Sequence, residues 1–481
     1  IINHQSKIKA NNVRIRSENI SNEDTRIDVN KNLIIDAQEV KNQQSEILAN
    51  DISFDIKNIR NYHTNIHARG HLNLEVFDSI INSDSSLYGY NVTVLSDSIT
   101  NTNSTMNVFD EMEIFSAKMT NIATNFNGEC IWLFVYDLYN KDISISADLI
   151  KMKGDKIFNI NSSLNAQDVM HIVANDIVNT SSKIKCIKDK VKMKGMTIHN
   201  RNAVIEAYES VEFTGGDIVD NVSRLKELIN ENAKISAGNE IYIDSIGSVN
   251  NRFAKLSSGQ SLIINAVNLD NSYADIDKPL NYLRFEADFI DNTSVKILSN
   301  HLILIAKVIN NDNSNLTANG IRIEADTLMG DGYLKTYNDL YLELQSSFIN
   351  KLEIEAGGEL RITTLGNIEN YGSLRGNRIN IRSGKAFNNY ENGRLRGGRV
   401  NIKADEVNNF AASEYKEYRP TLFAEKYLYI EATKVNNYQN ALIHSNDILK
   451  IKAKTLNNYY GSIWGQNETS LIVDEYNNYV R

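Results

Sequence analysis

The stretch Asn388–Phe410 reads NNYENGRLRGGRVNIKADEVNNF. It opens and closes on Asn-Asn-aromatic. Between the two copies, apolar or small residues alternate with polar ones: Leu395 and Gly397, then Val400, Ile402 and Ala404, then Val407. Alternation is the period of a strand, because successive side chains point to opposite faces. The phase breaks at two-residue gaps, where the chain must turn a corner.

The phrase returns. Asn pairs recur at Asn436-Asn437, Asn457-Asn458 and Asn477-Asn478. Toward the N-terminus the same slot is filled by Asn370, Asn350, Asn311, Asn292 and Asn271, and near the start by Asn22, Asn42, Asn61, Asn82, Asn101, Asn121, Asn140 and Asn159. The period is about 20 residues. The unit is apolar-x-small-x-x-apolar-x-apolar-x-small-x-x-apolar-x-Asn. Ile8, Ala10, Val13, Ile15, Ser17, Ile20 and Asn22 fit it, and so do Leu374, Gly376, Ile379, Ile381, Ser383, Phe387 and Asn389. Strands this short form no core alone. They do so when each unit is one coil and the coils stack in parallel, each strand pairing with its equivalent ~4.8 Å away. The fold class expected is all-β: a parallel β-helix, or β-solenoid, of roughly 20-residue coils. A leucine-rich repeat is disfavoured, since its consensus has one non-strand half and a different Asn spacing.

Asn suits the recurring slot for two reasons. It tolerates left-handed φ at a bend, and an inward Asn amide hydrogen-bonds its equivalents in the coils above and below. The aromatic that follows (Tyr371, Tyr390, Phe410, Tyr438, Tyr459, Tyr479) is expected to stack in a neighbouring column.

The domain reading is one continuous β-helix segment over 1–481, an internal piece of a longer protein, with more degenerate coils over 101–251. Three excursions interrupt it. VSRLKELINENAK places Val222, Leu225, Leu228 and Ile229 on one helical face, which predicts a short helix inserted within 217–234. AASEYKEYRP predicts a loop insertion over 411–421, and ADIDKP a third excursion before Leu280. The apolar coil CIWLFVYDL from Cys130 reads either as a widened core or as an exposed apolar patch.

Composition removes several function classes. The formal net charge is −9, which opposes general nucleic-acid binding. No apolar run approaches the ~20 residues of a membrane span. Two cysteines, Cys130 and Cys186, match no zinc or redox spacing and read as unpaired thiols. His63, His67 and His71 have helical ligand spacing but lie in strand-like sequence, so no metal or other cofactor is expected. Walker A, HExxH and G-x-S-x-G motifs are lacking. No carboxylate cluster stands out in the aligned columns. The surface feature that does stand out is basic. Arg375 and Arg396, Arg378 and Arg399, and Arg382 and Lys403 fall in equivalent slots of adjacent coils, with Arg394 nearby. As an anion or receptor site, Arg375, Arg378, Arg396 and Arg399 would lie on one face. The alternative is ion pairing with Glu355 and Glu359, one coil earlier.

The segment 369–409 resembles the haemagglutinin repeats of filamentous-haemagglutinin-type exoproteins of two-partner secretion, a group that includes contact-dependent growth-inhibition toxin filaments. Asn370, Gly372, Leu374, Gly376, Ile379, Ile381, Ser383 and Asn389 follow that repeat in order. So do Asn392, Gly393, Leu395, Gly397, Val400, Ile402, Ala404 and Asn409, with Gly393 one residue early. The resemblance implies that the β-helix is a right-handed parallel one, and that the protein is secreted to the bacterial cell surface through an outer-membrane two-partner secretion transporter. It implies a structural and adhesive segment that meets a cell-surface receptor or glycan and is not an enzyme. A receptor-binding segment of a growth-inhibition toxin, or a β-helix polysaccharide lyase or hydrolase, are the alternatives.

Overall fold

The computed structural model describes residues 1–216, 224–390, 392–410 and 421–479. Among them every regular element is a strand, and the strands pair in parallel with their equivalents one coil away. No described helix is long and apolar enough to cross a membrane. The coils group into two compact units, Ile1–Gly247 and Ser248–Arg481.

In the first unit one coil runs through Lys7–Ala10, a two-residue corner, and Val13–Glu23. The longer strand bends where Glu18 and Asn19 are both exposed. Alternation then carries one face of each leg inward. Ile27, Ile47, Ile66, Leu87, Met106 and Phe126 form one such column, consecutive in register and almost wholly buried. Each such side chain contributes about 1.5–3 kcal/mol by leaving water.

The Asn slot forms a buried amide ladder. Asn22 Nδ2 donates to Asn42 Oδ1 at 2.7 Å, Asn42 to Asn61 at 2.7 Å, and the sequence of bonds continues to Asn200 and Asn230 at 2.9 Å. Left-handed φ is not the Asn's own. It falls two residues later, at Asp24 (φ 47), Gln44 (φ 49), His63 (φ 48) and so on. Of the two reasons for Asn, the inward hydrogen bond is the operative one. The next residue adds a second polar column: Thr25, Ser45, Thr64, Ser85 and Ser104 are buried. Ser45 Oγ accepts from Thr25 N at 3.3 Å and donates to Gln43 O at 2.8 Å, which satisfies turn groups that would otherwise be orphaned.

Two expectations change here. The described part of 217–234 holds no helix. Glu227–Ile229 is a strand with Leu228 in register with Ile198, and both are buried. The leucine spacing serves a corner and a strand, and Asn230 takes the ladder slot. Residues 217–223, Asn221 among them, lie outside the described residues, as do 411–420 of the expected loop insertion. The third excursion is a bulge inside the strand Asp275–Asp291, where register shifts between Ile276 and Leu280. The coils over 176–265 keep the ladder and differ in that their corners break each coil into three short strands.

In the second unit the ladder runs Asn251, Asn271, Asn292, Asn311, then Asn350 onward to Asn478. It breaks once. Asn310 pairs with Met329, so Asn311 faces Gly330 (φ 111), which has no side-chain amide, and Asn311 Nδ2 is buried without a partner. From Asn388 a second ladder runs beside the first and donates in the opposite direction: Asn408 to Asn388 at 2.8 Å, Asn436 to Asn408 at 2.7 Å, Asn457 to Asn436 at 2.8 Å. The two rows of amide dipoles oppose one another, an arrangement favoured by elementary electrostatics. The expected aromatic column stands alongside. Tyr371, Tyr390, Phe410, Tyr438, Tyr459 and Tyr479 stack with centroids 4.5 to 5.4 Å apart. Cys186 is buried, Cys130 half-buried, and both are free thiols.

Asn409 accepts from Asn389 at 2.8 Å and donates to Asn437 at 3.0 Å. Asn409→Ala removes these bonds and a third, from Asn409 Nδ2 to Leu442 O at 3.2 Å, and should cost about 1–3 kcal/mol. The exposed Asn401 changed to Ala should cost no more than ~0.5 kcal/mol. Urea unfolding of the two variants checks the difference.

Candidate anion-binding surface

Outward residues of the second unit are held by the same register as the core. Inward Leu374, Ile379 and Ile381 pair with Leu395, Val400 and Ile402, so the outward residues between them must align too. Arg375 stands opposite Arg396, Arg378 opposite Arg399, and Arg382 opposite Lys403, as expected. Five of the arginines (Arg375, Arg378, Arg382, Arg396, Arg399) and Lys403 are exposed, and Arg394 is half-buried at the start of its strand.

The arginines do not all share one face. Asn377 and Arg378 are consecutive exposed residues between inward Leu374 and Ile379, which marks a corner. Arg375 and Arg396 lie before that corner, and Arg378, Arg382, Arg399 and Lys403 after it. The four central arginines therefore flank an edge of the coil.

Glu355 and Glu359 do occupy the equivalent slots one coil earlier, opposite Arg375 and Arg378. Their carboxylates are committed elsewhere. Glu355 takes the Tyr333 hydroxyl at 2.8 Å and Lys335 at 3.6 Å, and burial together with that bond pushes the Tyr333 phenol up to about 12. Glu359, 9% exposed, takes Arg361 Nη2 at 2.8 Å and Asn380 Nδ2 at 2.9 Å. Arg396 reaches Glu425 at 3.7 Å and lies over the Phe423 ring, and Lys403 pairs with Glu431 at 3.3 Å. Glu431 also accepts Lys452 at 3.0 Å, and these two ammonium groups, Lys452 foremost, hold its carboxyl below the usual range. Among the described residues Arg375, Arg378, Arg382 and Arg399 have no ion-pair partner. Stacked ~4.8 Å apart, two unpaired like charges such as Arg378 and Arg399 repel by about 1 kcal/mol in water, which an anion between them would relieve. Beside Arg382 a hollow of about 380 Å³ opens among Glu343, Arg361, Asn380 and Asn401.

The other features singled out from the sequence separate in space or in role. His63 sits at a left-handed turn, while His67 packs its ring against Tyr88 at 4.3 Å in a strand. Among the described residues, His4, Glu23 and Asp24 bring ligand atoms within 4.8 Å of one another, but all are exposed and His4 is paired with Glu23 at 3.2 Å. The apolar coil at Cys130 is not a wider core. Ile131, Leu133, Val135 and Leu138 point inward, and Trp132, Phe134 and Tyr136 outward. Phe134 stacks on Phe115 at 5.0 Å, with Lys151 over Trp132 at 5.8 Å.

Two features gave weak signals. The Arg361–Glu359 pair is an ordinary i, i+2 spacing on an outward strand face. Gly320 is a lone glycine in an apolar strand, the pattern that marks a close approach. No family model, no curated protein and no solved structure matches the chain.

The commitment of Glu359 can be measured. A double-mutant cycle between Glu359→Gln and Arg361→Gln should give a coupling of about 0.5–2 kcal/mol. The cycle between Glu359→Gln and Arg378→Gln should give one within ~0.3 kcal/mol of zero.

Proposed function

We propose that this chain is a non-catalytic segment of a secreted bacterial surface filament, whose outward arginine columns hold anionic groups of a cell surface. The observation that carries this reading is the set Arg375, Arg378, Arg382 and Arg399: exposed, without an ion-pair partner among the described residues, and each in register with a cation of the adjacent coil, Arg378 with Arg399, Arg375 with Arg396 and Arg382 with Lys403. Guanidinium forks grip phosphate or carboxylate with paired hydrogen bonds, and a coil edge presents them outward on two flanks. The placement at the cell surface, and export through an outer-membrane two-partner transporter, rest on the resemblance of residues 369–409 to haemagglutinin repeats, and the β-solenoid fold suits that resemblance. A glycan-cleaving role needs a pair of carboxylates free to give and take protons. Asp339 and Glu359, neighbours on this sheet, are instead tied down by Tyr341, the Glu359 amide, Arg361 and Asn380.

Binding to vesicles carrying lipopolysaccharide tests the reading. Binding should weaken as salt rises, because exposed charges are screened within ~8–10 Å at physiological ionic strength. Changing Arg375, Arg378, Arg396 and Arg399 together to Gln should remove the salt-sensitive part and leave the melting temperature unchanged within a few degrees. Changing the exposed Lys9, Lys118, Lys141 and Lys183 to Gln should not. A quadruple Arg variant that binds like the parent would end the proposal.

A further inference from the structure

A glycine in the interior of a strand weakens it, so it calls for a reason. At every other described glycine with a neighbour given, an added Cβ would meet an atom at 3.1 Å or closer, most often backbone of the adjacent coil. Gly320 differs. Its nearest neighbours would be His301 Nδ1 at 3.7 Å and Asp339 O at 3.8 Å, an ordinary contact, and its φ is not in the left-handed region. Neither crowding nor backbone conformation requires glycine there.

What its missing side chain does is open the surface. Tyr282, His301 and Gly320 are consecutive in one outward column. Asp339 precedes Leu340, the register partner of Ile321, and so takes the next slot. The column therefore lacks one rung between an imidazole and a carboxylate. Around that gap lies a hollow of about 560 Å³ lined by Tyr282, His301, Arg322, Asn338, Asp339 and Tyr341, with the outward Ile303 beside them. This falls within the size range of small-molecule sites.

The lining is held in place. Asp339 Oδ1 accepts the Glu359 amide at 2.7 Å and Oδ2 accepts the Tyr341 hydroxyl at 3.1 Å. Gly358 makes room for that carboxylate, since a Cβ there would lie 2.4 Å from Asp339 Oδ1. The Arg361 guanidinium covers the Tyr341 ring at 5.3 Å. Each carboxylate oxygen keeps a lone pair beyond the bond it already accepts. Arg322 is balanced by Glu324 and by Glu343 at 3.7 Å, so the hollow carries no free cation to attract an anion.

We infer that this hollow is a binding subsite for an uncharged pyranose sugar, seated over Gly320 in the vacant rung. A pyranose fills a one-rung gap with an apolar face and a polar rim. Ile303 and the tyrosine rings meet the former. Asp339, Asn338, His301 and the donors of Arg322 meet the hydroxyls. The ligand is uncharged and the site's arginine is already paired with Glu324 and Glu343, which sets this subsite apart from the arginine columns. It stands on other coils and does not rest on them.

The test is saturation-transfer NMR of the whole chain with lactose, maltose, cellobiose and N,N′-diacetylchitobiose, at low and high salt. At least one disaccharide should bind, and raising salt should leave its affinity unchanged. Gly320→Leu, which fills the gap from an outward strand position, should weaken binding at least about tenfold and leave the salt-sensitive vesicle binding intact. Asp339→Asn should weaken it by a smaller factor. Gly320→Ala should fold with an unchanged or higher melting temperature. The inference is overturned if none of the four sugars binds, if Gly320→Leu binds as the parent does, or if Gly320→Ala lowers the melting temperature, since glycine would then be serving the backbone.

Discussion

The structure depends on a buried amide that can donate to one coil and accept from the next. Each corner of a parallel coil turns polar backbone inward, where water cannot reach it, and an unpaired buried amide or carbonyl costs about 1–3 kcal/mol. Asn meets this demand with one side chain per coil, because its amide has a donor and an acceptor on the same planar group. The hydroxyl column one turn later, Thr25, Ser45 and their equivalents, meets the rest. Once these two columns are in register, the apolar residues have no freedom to slip, since a shift of one residue would turn Ile27 and Ile47 outward.

Much of this was legible because a solenoid repeats its chemistry at a fixed interval. The Asn slots, the aromatic column from Tyr371 to Tyr479 and the pairing of Arg375 with Arg396 all follow from counting. What was not legible has local causes. Leu225 and Leu228 carry helical spacing, yet Leu228 belongs to a strand beside Ile198, because a corner between two inward residues copies a helical interval. The left-handed residue is two positions beyond the Asn, and residue types as different as Gln44, His63 and Ala123 occupy it, so composition does not mark it. Glu359 stands opposite Arg378 in register, but its carboxylate turns along its own strand to Arg361. Register places backbones, and side-chain partners are decided afterwards by reach and competition.

The same geometry leaves outward columns free to vary in chemistry. An inward position is constrained by its neighbours above and below, while an outward position is constrained only by spacing. A run of like residues makes a line of charge, as at Arg378 and Arg399. A missing residue makes a socket, as at Gly320. Both are written on the scaffold without changing it, and both lie in the second unit, where Arg378 and Gly320 belong to the outward face of equivalent legs.

The central claim is that register, held by stacked amides and an inward apolar stripe, matters more than any single contact. Two deletions test it directly. Removing one whole coil, Asn389 to Asn408, joins Asn388 to Asn409 and restores the Asn-Asn-aromatic phrase, so every remaining column can close over the gap. Removing Val400 alone leaves the coil in place but reverses the facing of the residues that follow it. The account predicts that the whole-coil deletion keeps the circular dichroism of the parent and most of its resistance to protease. The single-residue deletion should lose both in the second unit. If the whole-coil deletion unfolds while the loss of Val400 is tolerated, stacking in register is not what holds this chain together.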